Sequence, residues 1–241
     1  MPAMTRHFGA LIPSTNTTVE IEYSHLLPAD ICQAHYGRLM SSNHGKSPFA
    51  SPLDADVAYQ AKLLGTARVE IIGLIQTSAC LFADDYDETT CARITENSGG
   101  IPAITSAMAI GEALRALGAR HVALVSPYSE EVNEKARRYF ETKHDLKIAA
   151  LEGFAAKDSY MIGQLGPENA RDAFRRIDRP EIEAFVVPGG NFPTMVSIPA
   201  WEREFKKPVV TTNQAAVWAM LRRIGSKDRI QGLGKLLEMP A

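Results

Sequence analysis

Three short segments of this chain recur later in the same order, and that recurrence constrains the fold more than any single motif. Pro102-Ala103-Ile104-Thr105-Ser106 is echoed by Pro208-Val209-Val210-Thr211-Thr212, and each copy opens an Ala-rich helical stretch. Phe8 to Pro13 resembles Val122 to Pro127, and Val69 to Cys80 sits where the second copy places Ile182 to Asn191. One echo would be chance; three in order indicate a duplicated unit with a boundary near Gly118. The 241 residues, 45% of them hydrophobic, suffice to bury a sizeable core.

Within each copy apolar runs alternate with helical patterns. Phe8 to Ile12 ends in Pro13-Ser14-Thr15-Asn16-Thr17-Thr18, a hydroxyl-rich turn before the helix-compatible Val19-Glu20-Ile21-Glu22. Val69 to Ile75 reads as a buried strand that delivers Gln76-Thr77-Ser78-Ala79-Cys80 to a loop. Ala107, Ile110, Ala113, Leu114 and Leu117 keep helical spacing up to Gly118, and His121 to Val125 follows as a strand. Ala184 to Val187 and Pro208 to Val210 are the later strands. Such alternation predicts an α/β protein with parallel sheets. The expected division is an N-terminal half over 1–117, completed by the C-terminal helix region 214–241, and a C-terminal half over 118–213. Loops at the strand ends of both halves would then face one cleft, the usual ligand position in open α/β sheets. Ser41 to Leu53, with Asn43, Gly45, Pro48 and Pro52, reads as a connection, with a lid over the cleft as the alternative.

Charge and motifs narrow the function. With 26 Lys plus Arg against 28 Asp plus Glu, no basic excess points to nucleic acid or to an anionic membrane surface. The chain's start lacks a signal-peptide run and no later segment is apolar enough to span a bilayer, so the expected compartment is the cytoplasm. Three cysteines, Cys32, Cys80 and Cys91, fit neither a disulfide framework nor a zinc site, and six scattered histidines argue against a metal. No glycine-rich nucleotide motif is present. A small carboxylate remains open as ligand.

Cys80 follows a buried strand among small hydroxyl residues, where a nucleophile or general base belongs; Cys32 and Cys91 lack that context and read as structural. Ser14, Thr15, Asn16, Thr17 and Thr18 offer a surplus of donors, either an anion cradle or a helix cap. Gly189-Gly190-Asn191 ends the matching strand, either a plain turn or a site where backbone amides approach a ligand. Tyr128, after Ser126-Pro127, could hydrogen-bond a carboxylate or simply pack. Asp84, Asp85, Asp87 and Glu88 read as a solvated helix start. Arg38 could clamp a carboxylate only if His35-Tyr36-Gly37-Arg38 ends a strand at the cleft.

Taken together, these residues resemble the maleate cis-trans isomerase and arylmalonate decarboxylase branch of the aspartate/glutamate racemase superfamily. The resemblance is carried by Ile12-Pro13-Ser14-Thr15-Asn16-Thr17-Thr18, Ala79-Cys80-Leu81, Thr105-Ser106-Ala107, Pro127-Tyr128, Lys207-Pro208-Val209-Val210 and Gly232-Leu233-Gly234-Lys235-Leu236-Leu237. It implies two pseudo-symmetric flavodoxin-like halves with the active site between them, no cofactor, and a small carboxylate or dicarboxylate substrate. A homo-oligomer, a dimer or higher, is also expected. The implied catalytic residue is Cys80, with Ser14, Asn16, Thr17, Leu81, Tyr128, Ser159, Gly189 and Gly190 on the substrate. Racemase members place a cysteine in each half. Here Cys80 matches the first and the second falls at Gly189, so two-thiol racemisation is disfavoured. Ser159, within Lys157 to Gly163, stands where the isomerases have a ligand-binding asparagine. The expected activity is isomerisation through a cysteine nucleophile. Single-cysteine decarboxylation, or a related protein with altered or lost catalysis, is the alternative.

Overall fold

The computed structural model describes residues 5–40 and 55–240, so the Ser41 to Leu53 segment lies outside the described residues. Strands β1 (Arg6–Pro13), β2 (Cys32–Leu39), β3 (Ile71–Leu74) and β4 (Ala103–Thr105) form one parallel sheet in the order β2-β1-β3-β4. Strands β5 (His121–Ser126), β6 (Lys147–Gly153), β7 (Ala184–Val187) and β8 (Val209–Thr211) form a second in the order β6-β5-β7-β8. Parallel strands need crossovers, and helices supply them: α1 (Val19–Leu26), α2 (Ala55–Thr66), α3 (Tyr86–Asn97) and α4 (Ser106–Ala116) in the first half. After β5 follow, in chain order, α5 (Glu130–His144), α6 (Ser159–Gly163), α7 (Pro167–Ile177), α8 (Ile198–Phe205), α9 (Thr212–Arg223) and α10 (Lys235–Glu238). The inner strands are buried on both faces, which is why they read as continuous apolar runs. The outer strands β2 and β6 are only partly buried, and their mixed sequences hid them.

The duplication extends to strand register. In the first sheet Phe8 pairs with Ile71 and Leu74 with Thr105; in the second Val122 pairs with Ala184 and Val187 with Thr211. Equating Phe8 with Val122, as the sequence echo does, makes Leu74 the counterpart of Val187 and Thr105 that of Thr211. Counting on from there, the first-half counterpart of Gly189 is Gln76, not Cys80. The mismatch arises because β3 ends at Leu74 and the chain then winds into a 3-10 turn, Thr77–Leu81, rather than an extended loop. Ile75 N makes the last bond to the sheet, 2.8 Å to Leu11 O, and Ala79 N closes the turn on Gln76 O at 3.1 Å.

The two halves share a core seam. Helix α4, capped by the Thr105 hydroxyl, packs along α9, the helix that follows β8. Helix α9 also lies on β3, so close that a Cβ on Gly73 would stand 2.8 Å from Met220 Sδ. Helix α1 reaches across as well: buried Glu22 accepts hydrogen bonds from Thr194 N (2.7 Å), Met195 N (2.8 Å) and Asn213 Nδ2 (2.6 Å). Asp87, read from sequence as part of a solvated helix start, is instead buried and accepts from the hydroxyls of Thr105 and Tyr139. It is the second residue of α3, and its carboxylate joins the N-cap of α4 to α5.

Candidate active site

In each sheet the strand order reverses between the first and third strands, which leaves a crevice at their carboxyl ends. The two crevices face one cavity, lined from both halves, at the place where open α/β sheets bind small molecules. Thr15 and Asn16 come from the end of β1, Gln76, Thr77 and Ser78 from β3, Tyr128 from β5, and Gly189, Gly190 and Asn191 from β7. Ser159 and Ile162 of α6 close one side. Among the described residues, no charged side chain and no cysteine or histidine lines this cavity.

Its polarity is that of neutral hydroxyls and amides. Thr77 Oγ1 exchanges hydrogen bonds with Ser106 Oγ (3.0 Å) and Thr212 Oγ1 (2.9 Å), and Gly189 N donates to Thr212 Oγ1 at 2.8 Å. These four groups bind the ends of β3, β4, β7 and β8 into one hydroxyl network. The buried Tyr128 phenol is hydrogen-bonded to the Ser78 and Thr77 side chains, and burial pushes its pKa well above the usual phenol value. It therefore stays a protonated donor. Gly189, at φ +112°, lies against Pro127 and Tyr128: an added Cβ would meet Pro127 Cγ at 2.9 Å, besides adopting a backbone conformation that side chains disfavour. Asn191 is held by Thr17 N at 2.8 Å and by its own donation to Ser159 O at 2.7 Å, which couples the β1 turn to α6.

Of the residues predicted from sequence, Asn16, Tyr128, Ser159, Gly189 and Gly190 line the cavity. Asn16 also serves the alternative role considered for it, because its Oδ1 caps α1 through Thr18 N (3.0 Å) and Val19 N (2.9 Å). Ser14 and Thr17 are exposed and lie outside the lining: Ser14 O accepts from Arg38, and Thr17 holds Asn191. Arg38 is directed to the back of this turn, reaching Ser14 O, Asn16 O and the Glu20 carboxylate, so it braces the cradle from behind.

Cys80 and Leu81 do not line the cavity in this structure. Both border a separate surface recess with Arg138, Tyr139 and Lys143. The physical reason is the 3-10 turn: Gln76, Thr77 and Ser78 occupy the cleft side, and Cys80 Sγ folds back toward Gln76 O at 3.8 Å. The thiol does lie at a helix N-terminus, that of α4, where the Thr105 hydroxyl and Ala107 N–H favour a thiolate. Burial, and then the neighbouring Asp87 carboxylate, outweigh them and hold its pKa well above the ordinary thiol value. Cys32 and Cys91 are likewise pushed up to about 12, mainly by burial. Gln76, Thr77, Ser78 and Ile162 line the cavity without having been singled out from sequence; register counting from the Phe8 and Val122 echo points to Gln76.

Fold and site define a two-lobed α/β protein with a neutral, donor-lined cleft at paired switch points. The chain belongs to the arylmalonate decarboxylase family, whose model matches residues 8–237. It is 29% identical over 246 residues to the maleate isomerase of Nocardia farcinica, covering 96% of this chain and 95% of that one. Its fold is similar to that of a maleate isomerase variant from Pseudomonas putida with maleate, with TM-score 0.89, 25% identity and coverage of 97% and 98% of the two chains. A Nocardia farcinica maleate cis-trans isomerase mutant with a covalently bound succinylcysteine intermediate gives TM-score 0.87 at 26% identity, covering 98% and 100%.

Proposed function

We propose that this protein is a cofactor-independent isomerase that acts on a small dicarboxylate in the cleft, as its maleate isomerase relatives do on maleate. The observation that carries this is the cavity itself: hydroxyl and amide donors from both halves converge on it, with Tyr128 kept protonated. Each hydrogen bond from such a donor to a carboxylate contributes about 1.5–3 kcal/mol, more as negative charge builds during reaction. Work in the cytoplasm and as a homo-oligomer belongs to the same proposal.

The covalent route employs Cys80. Asp87 takes the thiol proton, and Sγ adds to one alkene carbon while the π pair moves onto the neighbouring carbon and its carboxylate. Tyr128 and Ser78 hold that enediolate as the new single bond rotates. The pair then returns, the C–S bond breaks, and the thiolate regains its proton. Because Cys80 lies behind the Thr77–Leu81 turn, this route requires the turn to open toward the cleft. The Cys80 thiol, held protonated by burial, favours a second reading: carbon dioxide leaves, the same cradle holds the resulting enediolate, and the thiol supplies the proton to carbon once the turn opens.

Conversion of maleate to fumarate, followed by proton NMR, tests the proposal. Wild type is expected to convert, and Cys80→Ala to lose roughly 10³-fold or more. Equal rates would exclude the thiol route. Carbon dioxide release from a substituted malonate without maleate conversion would establish the second reading.

A further inference from the structure

Two polar atoms of the cavity lining are unsatisfied. Gln76 Oε1 and Thr15 Oγ1 are buried and have no hydrogen-bond partner among the described residues. A buried amide oxygen without a donor costs about 1–3 kcal/mol, so such an atom is retained at a cost unless something donates to it. Gln76 is also the register counterpart of Gly189, and the two residues line the same cavity from opposite halves. One half thus presents an open backbone wall and the other a carboxamide. The other lining carboxamides, Asn16 and Asn191, have their oxygens engaged by the backbone of Thr17, Thr18 and Val19. Tyr128 and Ser78 offer hydroxyls to a carboxylate, whereas Gln76 adds a carbonyl oxygen that only accepts.

We propose that Gln76 is a specificity-determining residue, and that the preferred substrate is a small carboxylate bearing an N–H or O–H donor that its Oε1 accepts. A bare unsaturated diacid such as maleate leaves this oxygen unpaired and so binds more weakly than an analogue that carries the donor. The inference rests on the proposal that the cleft binds a small carboxylate, but it does not depend on the reaction.

Isothermal titration with three four-carbon acids tests it: succinate, its 2-hydroxy counterpart malate, and its monoamide succinamate. Wild type is expected to bind malate or succinamate at least ~10-fold more tightly than succinate. In Gln76→Leu and the near-isosteric Gln76→Met, folding being checked by circular dichroism, that preference disappears while succinate affinity changes less than ~3-fold. Equal affinity for the three acids in wild type overturns the inference and leaves the carboxylate site standing. An unchanged preference in a folded variant also overturns it. Failure of all three to bind wild type overturns both.

Discussion

Tyr128 and Cys80 show how burial acts in opposite functional senses on two titratable groups. Each is fully enclosed and each has its pKa raised, chiefly by burial. For a phenol that serves as donor, a raised pKa is useful, since the O–H persists across the working pH range; for a thiol that must become a nucleophile it is a handicap. Tyr128→Phe should therefore weaken carboxylate binding by about 10–100-fold, the loss of one hydrogen bond to a charged group. In wild type the same binding should show no decline from tyrosine ionisation as pH rises toward 10.0, the ordinary phenol value, because the folded-state value lies higher. Titration calorimetry at several pH values reads both. A loss of affinity setting in below that value would mean that the phenol ionises normally and is not the donor.

The Thr77–Leu81 turn is the element that separates what was legible in the sequence from what was not. The strands and helices of the inner layers follow from apolar runs and 3.6-residue spacing, and the echo of Pro102 and Pro208 matches the equivalent places of β4 beside β3 and β8 beside β7. The cleft was legible too, since Asn16, Tyr128, Gly189 and Gly190 follow strand ends. A 3-10 turn leaves no comparable periodicity in five residues. Read as extended chain, Gln76 to Cys80 carries the cysteine to the cleft; wound up, it presents Gln76 to Ser78 and turns Cys80 toward Asp87. What packs behind the turn was equally hidden, because Asp87 lies in an acidic run that looks solvated. Its carboxylate is the shared acceptor of Thr105 and Tyr139, and it ties α3 to β4 and α5. Asp87→Ala should cost about 2–4 kcal/mol by leaving two buried hydroxyls unpaired. Adding Tyr139→Phe to that variant should cost less than Tyr139→Phe alone, because the orphaned hydroxyl is removed. Urea denaturation of the four proteins measures the coupling, and additive losses would show that the pair does not act as a unit.

At the scale of the molecule, the cleft exists only while the halves keep their relative position, and beside the packing of α4 on α9 they are locked by hydrogen bonds from α1 and the turn before it. Thr18 Oγ1 donates to Asn191 O at 2.8 Å, Tyr23 Oη to Asn213 O at 3.0 Å, and Glu22 collects three donors from the other half. Two of these acceptors belong to Asn191, a lining residue, and to Asn213, which also donates to Gly190 O at 3.1 Å. Loosening this lock should thus reach the site. Glu22→Ala would strand two buried backbone N–H groups and the Asn213 amide, a loss of about 3 kcal/mol or more. Glu22→Gln keeps an acceptor for the backbone groups, and Asn213 can turn its unpartnered Oδ1 toward the new amide, so its loss should be smaller. The pH dependence follows from burial, which raises the Glu22 pKa above the ordinary 4.5 despite the three donors that favour its charge. Between the unfolded and folded values the native state binds the extra proton, so the contribution of Glu22 to stability is greatest at or below 4.5 and falls as pH rises through the folded value. The carboxamide of the Glu22→Gln variant does not titrate. Wild type should therefore lose stability relative to Glu22→Gln on going from acidic to neutral pH, in chemical denaturation at matched ionic strength. The opposite slope would mean that the three donors outweigh desolvation, and that the seam between the halves is held by a carboxylate more acidic than normal.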